Sequence, residues 1–497
     1  MQRIKSFALN TIASLSNQII IIICGFILPR LILSYYGSNV NGLVQSITQF
    51  IGLISIFDAG MGVVIEASLY KPIAENDSEE VSKILTSGQR FYYHFVILLG
   101  IYILCLVIIM PKLASEFDLV YTVTLLLSIS ISSFGQYCLG VTNSVLLSAD
   151  QKKYINLFVS SIVTILNTIV GVILIKQGQS IQIVKLISSL IFLGRPIFLA
   201  SYVKKHYAIN WHSKYLEEPI KQKWNGFAQH VAFLVVGNTD VTILTIMSSF
   251  ENVSIYSTYF LVINGIKTLI SAITVGFDAL FGNMLAQNEK EGLLITFNAF
   301  EIFVHMMVTV LFGMTAILIV PFVLIYTKGI YDTNYNQPIF AYVICFAYAI
   351  YCLRIPYLTI VKVAGHFKET QNSSIIEATI NIIISIVCVL NFGLVGVAFG
   401  TLIAMAYRTL YLVFYVEKNI IFRSSKCFFK YLILDIVLLI LMLISTQFFF
   451  CKSLTYLSWI ILSLKIGIIC CFEMIVIFVI FYRTEINIII DKLFKRK

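Results

Sequence analysis

Among the ionisable residues that interrupt the long apolar runs of this 497-residue chain, ten stand out: Arg30, Asp58, Arg195, Asp240, Lys267, Asp278, Arg354, Arg408, Lys465 and Glu473. A charge at the centre of a bilayer costs at least about 2.5–3.5 kcal/mol on insertion scales, so such groups face a bundle interior or a watered path. Because these ten come from many segments, they can converge on one central polar cavity. The competing reading is a set of buried pairs, with some side chains snorkelling near span ends. Lys465 and Glu473 lie eight residues apart on one helix face, which favours a structural role. Asn10, Ser14 and Asn17 follow an i, i+4, i+7 spacing and share a face of their helix. Such a stripe either lines a cavity or holds helices together. Gln229 and Asp240, eleven residues apart, form a second polar face. Three of the arginines stand beside or near proline, in Pro29-Arg30, Arg195-Pro196 and Arg354-Ile355-Pro356, where a kink is expected.

The chain lacks several other kinds of chemistry. It has no GxxxxGK[ST] phosphate loop and no HExxH. The six histidines are dispersed, and the ten cysteines form no CxxC, so no metal site, cofactor or disulfide framework is expected. The net charge of +10 would suggest nucleic acid in a soluble protein, but most of the basic residues lie in short loops between apolar runs. They are read as orientation signals, and nucleic acid is not expected as a partner.

Those residues must be positioned by membrane-spanning helices. Fifty-nine per cent of the chain is apolar, 12% is charged, and the mean hydropathy is +0.91. Water-soluble proteins carry about 25% charged residues. Hydrocarbon offers no hydrogen bonds, so apolar runs of about 20 residues must be helices. An all-α, polytopic chain of about 14 spans is expected, near 9–34, 40–66, 91–110, 118–147, 154–176, 181–203, 225–249, 254–287, 298–327, 337–363, 370–390, 393–416, 429–450 and 456–482. The basic start Met1-Gln2-Arg3-Ile4-Lys5 leads into the first span rather than a cleaved signal. With a cytoplasmic N-terminus, about 24 Lys and Arg fall inside and about six outside, which predicts that both termini are cytoplasmic.

The longest connection, 204–224, carries Trp211 and Trp224 and reads as an amphipathic linker along the inner surface. It separates segments with weak internal similarity. Val107-Ile-Ile-Met-Pro111 resembles Ile317-Leu-Ile-Val-Pro321, and Ala149-Asp-Gln-Lys-Lys153 resembles Ala364-Gly-His-Phe-Lys368. Ser16-Asn17-Gln18 and Gly25 fall on Ala228-Gln229-His230 and Gly237, and Asn167 falls near Asn381. All four offsets lie between 210 and 215. A duplicated six-helix bundle follows, spanning 1–203 and 225–416, with extra helices in 429–482 and a basic tail at 483–497.

Three stretches resemble the bacterial polysaccharide repeat-unit flippases, the O-antigen, capsule and teichoic-acid transporters of the MATE-like MOP superfamily. They are Pro29-Arg30 with Tyr36-Gly37-Ser38-Asn39-Val40-Asn41-Gly42, then Phe57-Asp58-Ala59-Gly60-Met61-Gly62, and Phe392-Gly393-Leu394-Val395-Gly396-Val397-Ala398-Phe399-Gly400-Thr401. Tyr70-Lys71-Pro72-Ile73-Ala74 is similar to the family's loop between helices 2 and 3. The resemblance implies two six-helix bundles in a V around a central cavity, working by alternating access in the bacterial cytoplasmic membrane. It implies a polyprenyl-pyrophosphate-linked glycan as substrate, membrane lipids as surroundings, and the polysaccharide polymerase machinery as a partner. A cationic cavity suits a pyrophosphate, and Arg30, Lys267, Arg354 and Arg408 are its candidates. The alternative on the same fold is a cation-coupled drug or small-molecule exporter, with an acidic cavity centred on Asp58, Asp240 or Asp278. A membrane transferase would need an acidic or histidine-bearing cluster at one membrane face, which the sequence does not display, so a non-enzyme is expected.

Overall fold

The computed structural model describes residues 2–58, 60–213, 219–220, 227–287, 289–449, 451 and 453–481, with side chains described from residue 9 except those of 227–234 and 236. Among the described residues every regular element is helical. The chain divides into two compact units, Met1–Ser254 and Ile255–Lys497.

The first unit contains α1 (Gln2–Leu53), α2 (Ser55–Asp58), α3 (Met61–Ala74), α4 (Ser78–Leu113) and α5 (Leu119–Gly135). A π-helical turn, Gln136–Gly140, leads into α6 (Val141–Ala149), followed by α7 (Lys153–Lys176), α8 (Ile181–His206) and α9 (Phe227–Met247). Within this unit α1 lies along α7, and α5 along α8. The second unit begins within α10 (Phe250–Thr274) and continues through α11 (Gly276–Ala286), α12 (Lys290–Tyr326), α13 (Pro338–Leu353) and α14 (Ile355–Ala364). It ends with α15 (Phe367–Val416), a π turn at Glu417–Ile421, α16 (Lys426–Thr446) and α17 (Tyr456–Phe481). Here α13 packs on α15, and α12 is flanked by α13, α16 and α17.

Eleven stretches of the described residues are long and apolar enough to cross a membrane. Two of them break into two helices, at Gly37 (φ 84°) in α1 and at Gly393 (φ 53°) in α15. Counting the halves separately and adding α9 accounts for the fourteen expected spans. Positive φ is open to glycine at little cost, so each break needs no loop.

Burial is inverted relative to a water-soluble protein. On α7, Asn156, Ser161, Asn167 and Thr168 are buried, whereas Phe158, Ile162, Ile165 and Ile169 are exposed. On α15, Ser373, Glu377, Asn381 and Ser385 are buried, while Ile376, Ile383, Val387 and Leu390 face outward. A helix with its polar stripe inward and its apolar face outward has hydrocarbon as its solvent. The chain is a polytopic all-α membrane protein.

Several boundaries differ from those expected. α4 starts at Ser78, well before the expected 91, because the Asp77 carboxylate caps the amides of Glu79 and Glu80. The expected span 40–66 is interrupted between α2 and α3, where Gly60 is left-handed. The span 337–363 breaks at Arg354, where Pro356 cannot donate to the preceding turn. Pro29 and Pro196, by contrast, lie inside continuous helices. In the linker, residues 207–213 lack regular structure, and Asn210 joins them to Ser82 and Thr86 of α4. Trp224 lies outside the described residues.

Candidate functional site

The Gly393 turn folds the two halves of α15 against each other. Gly400 sits where a Cβ would fall 2.7 Å from the Ser385 amide nitrogen, so only glycine permits this approach. The contact places Asn381 Nδ2 3.0 Å from Thr401 Oγ1, and further along the same two halves it brings Arg408 to Glu377. Arg408 Nη1 donates to Glu377 Oε2 at 2.8 Å, and Arg354 Nη1, from the α13–α14 break, donates to Glu377 Oε1 at 2.6 Å. All three side chains are at least nine-tenths buried. The Arg354 guanidinium also lies 4.4 Å from the Tyr351 ring centre. Lys267 of α10 places its ammonium 5.2 Å from the same ring and 5.5 Å from that of Tyr348.

The arrangement holds three cations and one carboxylate. Among the described residues no carboxylate lies within ion-pair distance of Lys267, and both arginine Nε atoms are buried without a hydrogen-bond partner. The excess is therefore positive, it is buried, and two of its members cannot shed a proton in proteins. Lys267 is the most accessible of the three, being half-buried.

The remaining sequence candidates are distributed as follows. Arg30 lies half-buried in α1 of the first unit. Asn10 accepts from the Tyr154 amide at 2.7 Å and donates to the Gln151 carbonyl at 2.9 Å, which ties α1 to the α6–α7 turn. Asn17 accepts from Ser161 Oγ at 3.0 Å, again on α7, whereas Ser14 between them is exposed. Asp58 ends α2 at the helix break and accepts from the Tyr92 hydroxyl at 2.9 Å. Tyr92 stacks on Tyr137 of the π turn. Asp240 is buried on α9, and the Gln229 side chain lies outside the described residues. Asp278 pairs with Lys362 at 2.6 Å near the surface. Arg195 donates to Asn156 at 2.9 Å, Lys465 is exposed on α17, and Glu473 is half-buried.

A second buried cluster is not evident from sequence. Arg423, in the turn before α16, donates to Glu301 Oε2 at 2.7 Å, Glu417 Oε1 at 2.6 Å and Asn298 Oδ1 at 2.6 Å. The Tyr357 hydroxyl donates to Glu301 and lies 3.5 Å from Glu417. Burial alone would lower the Arg423 guanidinium, but the two carboxylates more than offset it and hold it above the ordinary arginine range. One turn beyond Glu301, His305 bonds Asp435 of α16 at 2.5 Å, and Thr309 bonds the same carboxylate at 2.7 Å. A signal for Glu377 and Glu301 exists, since both fall inside expected spans, 370–390 and 298–327. Their partners are distant in sequence, and no local spacing reveals them.

No protein-family model matches the chain, and no curated protein sequence matches it. Solved structures do match in shape. A lipid II flippase MurJ in an inward closed conformation superposes with a TM-score of 0.71 at 18% identity, covering 96% of this chain and 100% of that one. The MATE multidrug transporter DinF-BH gives 0.66 at 13% identity, over 84% of this chain and 97% of that one. An inward-facing multidrug resistance MATE transporter of the MOP superfamily gives 0.62 at 12% identity, over 82% and 98%. The chain has the fold of these transporters.

Proposed function

We propose that this protein is a membrane transporter that moves polyprenyl-pyrophosphate-linked oligosaccharide repeat units from the cytoplasmic to the outer leaflet for polysaccharide biosynthesis. The observation that carries this reading is the buried excess of positive charge at Lys267, Arg354 and Arg408 around the single carboxylate of Glu377. An uncompensated buried cation is expensive, and arginine cannot relieve the cost by losing a proton. A phosphate-bearing headgroup would supply the missing negative charge through charge-assisted hydrogen bonds. Lys267 is the accessible first contact. The two arginines, clamped on Glu377, would engage once the bundle opens. Tyr348 and Tyr351 offer apolar faces beside the cations, which suits a sugar attached to phosphate. Transport by alternating access requires a lined path and two conformations and no bond-making step. The expected setting is the bacterial cytoplasmic membrane with both termini inside, as the loop bias in Lys and Arg supports.

The second reading, a cation-coupled small-molecule exporter of the same fold, is favoured by the carboxylates of the first unit, Asp58 at a helix break and buried Asp240. It requires that Asp240→Asn alter the pH dependence of transport.

The deciding experiment depletes the protein in its own cell and asks which leaflet holds the lipid-linked oligosaccharide. Intact oligosaccharide trapped on the cytoplasmic leaflet is expected, and complementation by Lys267→Ala or Arg354→Ala is expected to fail while folded protein reaches the membrane. Normal flipping in both variants removes the cationic-site reading. An unaltered distribution in a strain lacking a redundant flippase moves the weight to export.

A further inference from the structure

The two buried clusters of the second unit are opposite in sign, and this determines what each can bind. Around Glu377 the excess is positive and only an anion can neutralise it. Around Arg423 the excess is negative, and carboxylates can take up a proton. Glu301 and Glu417 are 0% and 2% exposed and share one guanidinium. Glu301 is well served, with Arg423 on one oxygen and the Tyr357 hydroxyl on the other. Glu417 is not. It accepts from Arg423 at Oε1, while its Oε2 is buried with no hydrogen-bond partner. The single hydroxyl proton of Tyr357 is already committed to Glu301. A buried carboxylate oxygen with no donor costs enough that such groups neutralise instead of staying ionised.

We infer that the Glu301–Tyr357–Glu417–Arg423 cluster is a proton-binding site holding one exchangeable proton, which rests on Glu417 Oε2. Proton uptake converts one carboxylate to a carboxylic acid and changes the cluster from a net charge of −1 to zero. The Tyr357 hydroxyl donates to Glu301 and lies 3.5 Å from Glu417 Oε1, so the donor available to the pair serves Glu301 and leaves Oε2 as the oxygen that holds the proton. Because Arg423 lies just ahead of α16, the neutral cluster also anchors the start of that helix.

Other charges flank this site. From α12, His305 pairs with Asp435 of α16 and also interacts electrostatically with Glu301 and Arg423, but not with Glu417. From α16, Lys426 and Lys430 are exposed, and Lys430 lies against the Tyr431 ring. Lys418 of the π turn is exposed, and Lys362 of α14 is occupied by Asp278 of α11. From α17, Glu473 also carries a buried carboxylate oxygen without a hydrogen-bond partner, so it is the necessary control.

The test uses the full chain in lipid nanodiscs and infrared spectra in water and deuterium oxide across neutral to alkaline pH. The wild type is expected to show the carbonyl band of a buried protonated carboxyl at neutral pH. The band should be lost in Glu417→Gln and retained in Glu473→Gln. Absence of the band in the wild type, or its loss only in Glu473→Gln, overturns the inference. Thermal unfolding separates a proton site from a plain ion pair. Glutamine mimics the protonated acid without having to take up a proton on folding. Glu417→Gln should therefore unfold with the wild type only in the ordinary carboxylate range and at a higher temperature than the wild type at neutral pH, lacking the wild type's loss of stability as pH rises. A lower unfolding temperature at every pH would mean that the ionised pair is the resting form and overturns the inference. If Glu417→Gln does not fold, Tyr357→Phe keeps both carboxylates and removes one of their donors, so it should retain the band, and loss of the band there overturns the inference as well. None of these outcomes depends on which substrate the protein carries.

Discussion

Arg354 and Arg408 donate to opposite oxygens of Glu377, and neither guanidinium has another carboxylate among the described residues. Removing one partner of a buried ionic set leaves an uncompensated charge, which costs about 3–5 kcal/mol. Glu377→Gln is expected to lose stability of that order, read as a lower unfolding temperature in detergent. Lys267→Ala removes only contacts with two rings, worth about 0.5–2 kcal/mol. Its expected signature is therefore lost transport with nearly unaltered unfolding. If Lys267→Ala proved as destabilising as Glu377→Gln, Lys267 would be a structural residue. At this scale the sequence is only partly legible. An isolated charge in an apolar run is conspicuous, as Lys267, Arg354 and Arg408 are. Their shared acid lies 23 and 31 residues from the two arginines, and only the fold-back of α15 reveals the pairing. The asparagines of α1 show the same limit, because their spacing defines the shared face but not α7 as its partner.

The helices themselves are more legible, because hydrocarbon imposes length and composition on every span. The junction at Gly37 falls between two expected spans, that at Gly393 falls on the first residue of one, and Pro356 marks the break at Arg354. The break at Asp58–Gly60 and the π turn at Gln136–Gly140 lie inside single expected spans, 40–66 and 118–147, where a few polar and glycine residues among apolar ones do not distinguish a break from a continuous helix. Gly393 has φ 53° and ψ −128°, and a Cβ there would meet no atom within 4 Å, so substitution tests backbone strain alone. Gly393→Ala should cost about 1–3 kcal/mol. Gly265, inside α10 with equally open surroundings, is the control. There alanine should add about 0.5–1 kcal/mol. Equal effects of the two substitutions on unfolding temperature would remove the role assigned to the turn.

Element ends are also pinned outside the membrane. Lys152 pairs with Asp150 at 2.7 Å, and the Tyr207 hydroxyl donates to Asp150 at 2.5 Å, joining the α6–α7 turn to the end of α8. Burial alone would lower the Lys152 ammonium, but its hydrogen bonds to Asp150 and Tyr207 outweigh this and raise it above the usual lysine range. A raised ammonium stabilises the folded state fully below the ordinary lysine range, and the contribution disappears as pH rises through the raised value. Asp150→Asn should therefore flatten the alkaline limb of a stability–pH profile and leave its neutral region little altered, because the pair is partly exposed.

For the whole molecule, the loop charges predict which side each connection occupies. Tyr331, 90% exposed in the turn after α12, should lie outside, and exposed His212, after α8, inside. With the native cysteines replaced, an impermeant thiol reagent should label Tyr331→Cys in intact cells and His212→Cys only after the membrane is opened. The reverse pattern would invert the assigned orientation. The inward polar stripes have a different kind of consequence. Lipid exerts almost no preference among isoleucine, leucine, valine and phenylalanine, so the outward faces of α4, α7 and α15 are free to drift. Inward positions such as Gly400, Asn381 and Glu377 are each tied to one neighbour by a bond or a missing Cβ. Two descendants of one ancestor can thus exchange most of their letters while every helix stays in place. Shape then outlasts letters, and this chain superposes on a solved structure over 96% of its length at 18% identity.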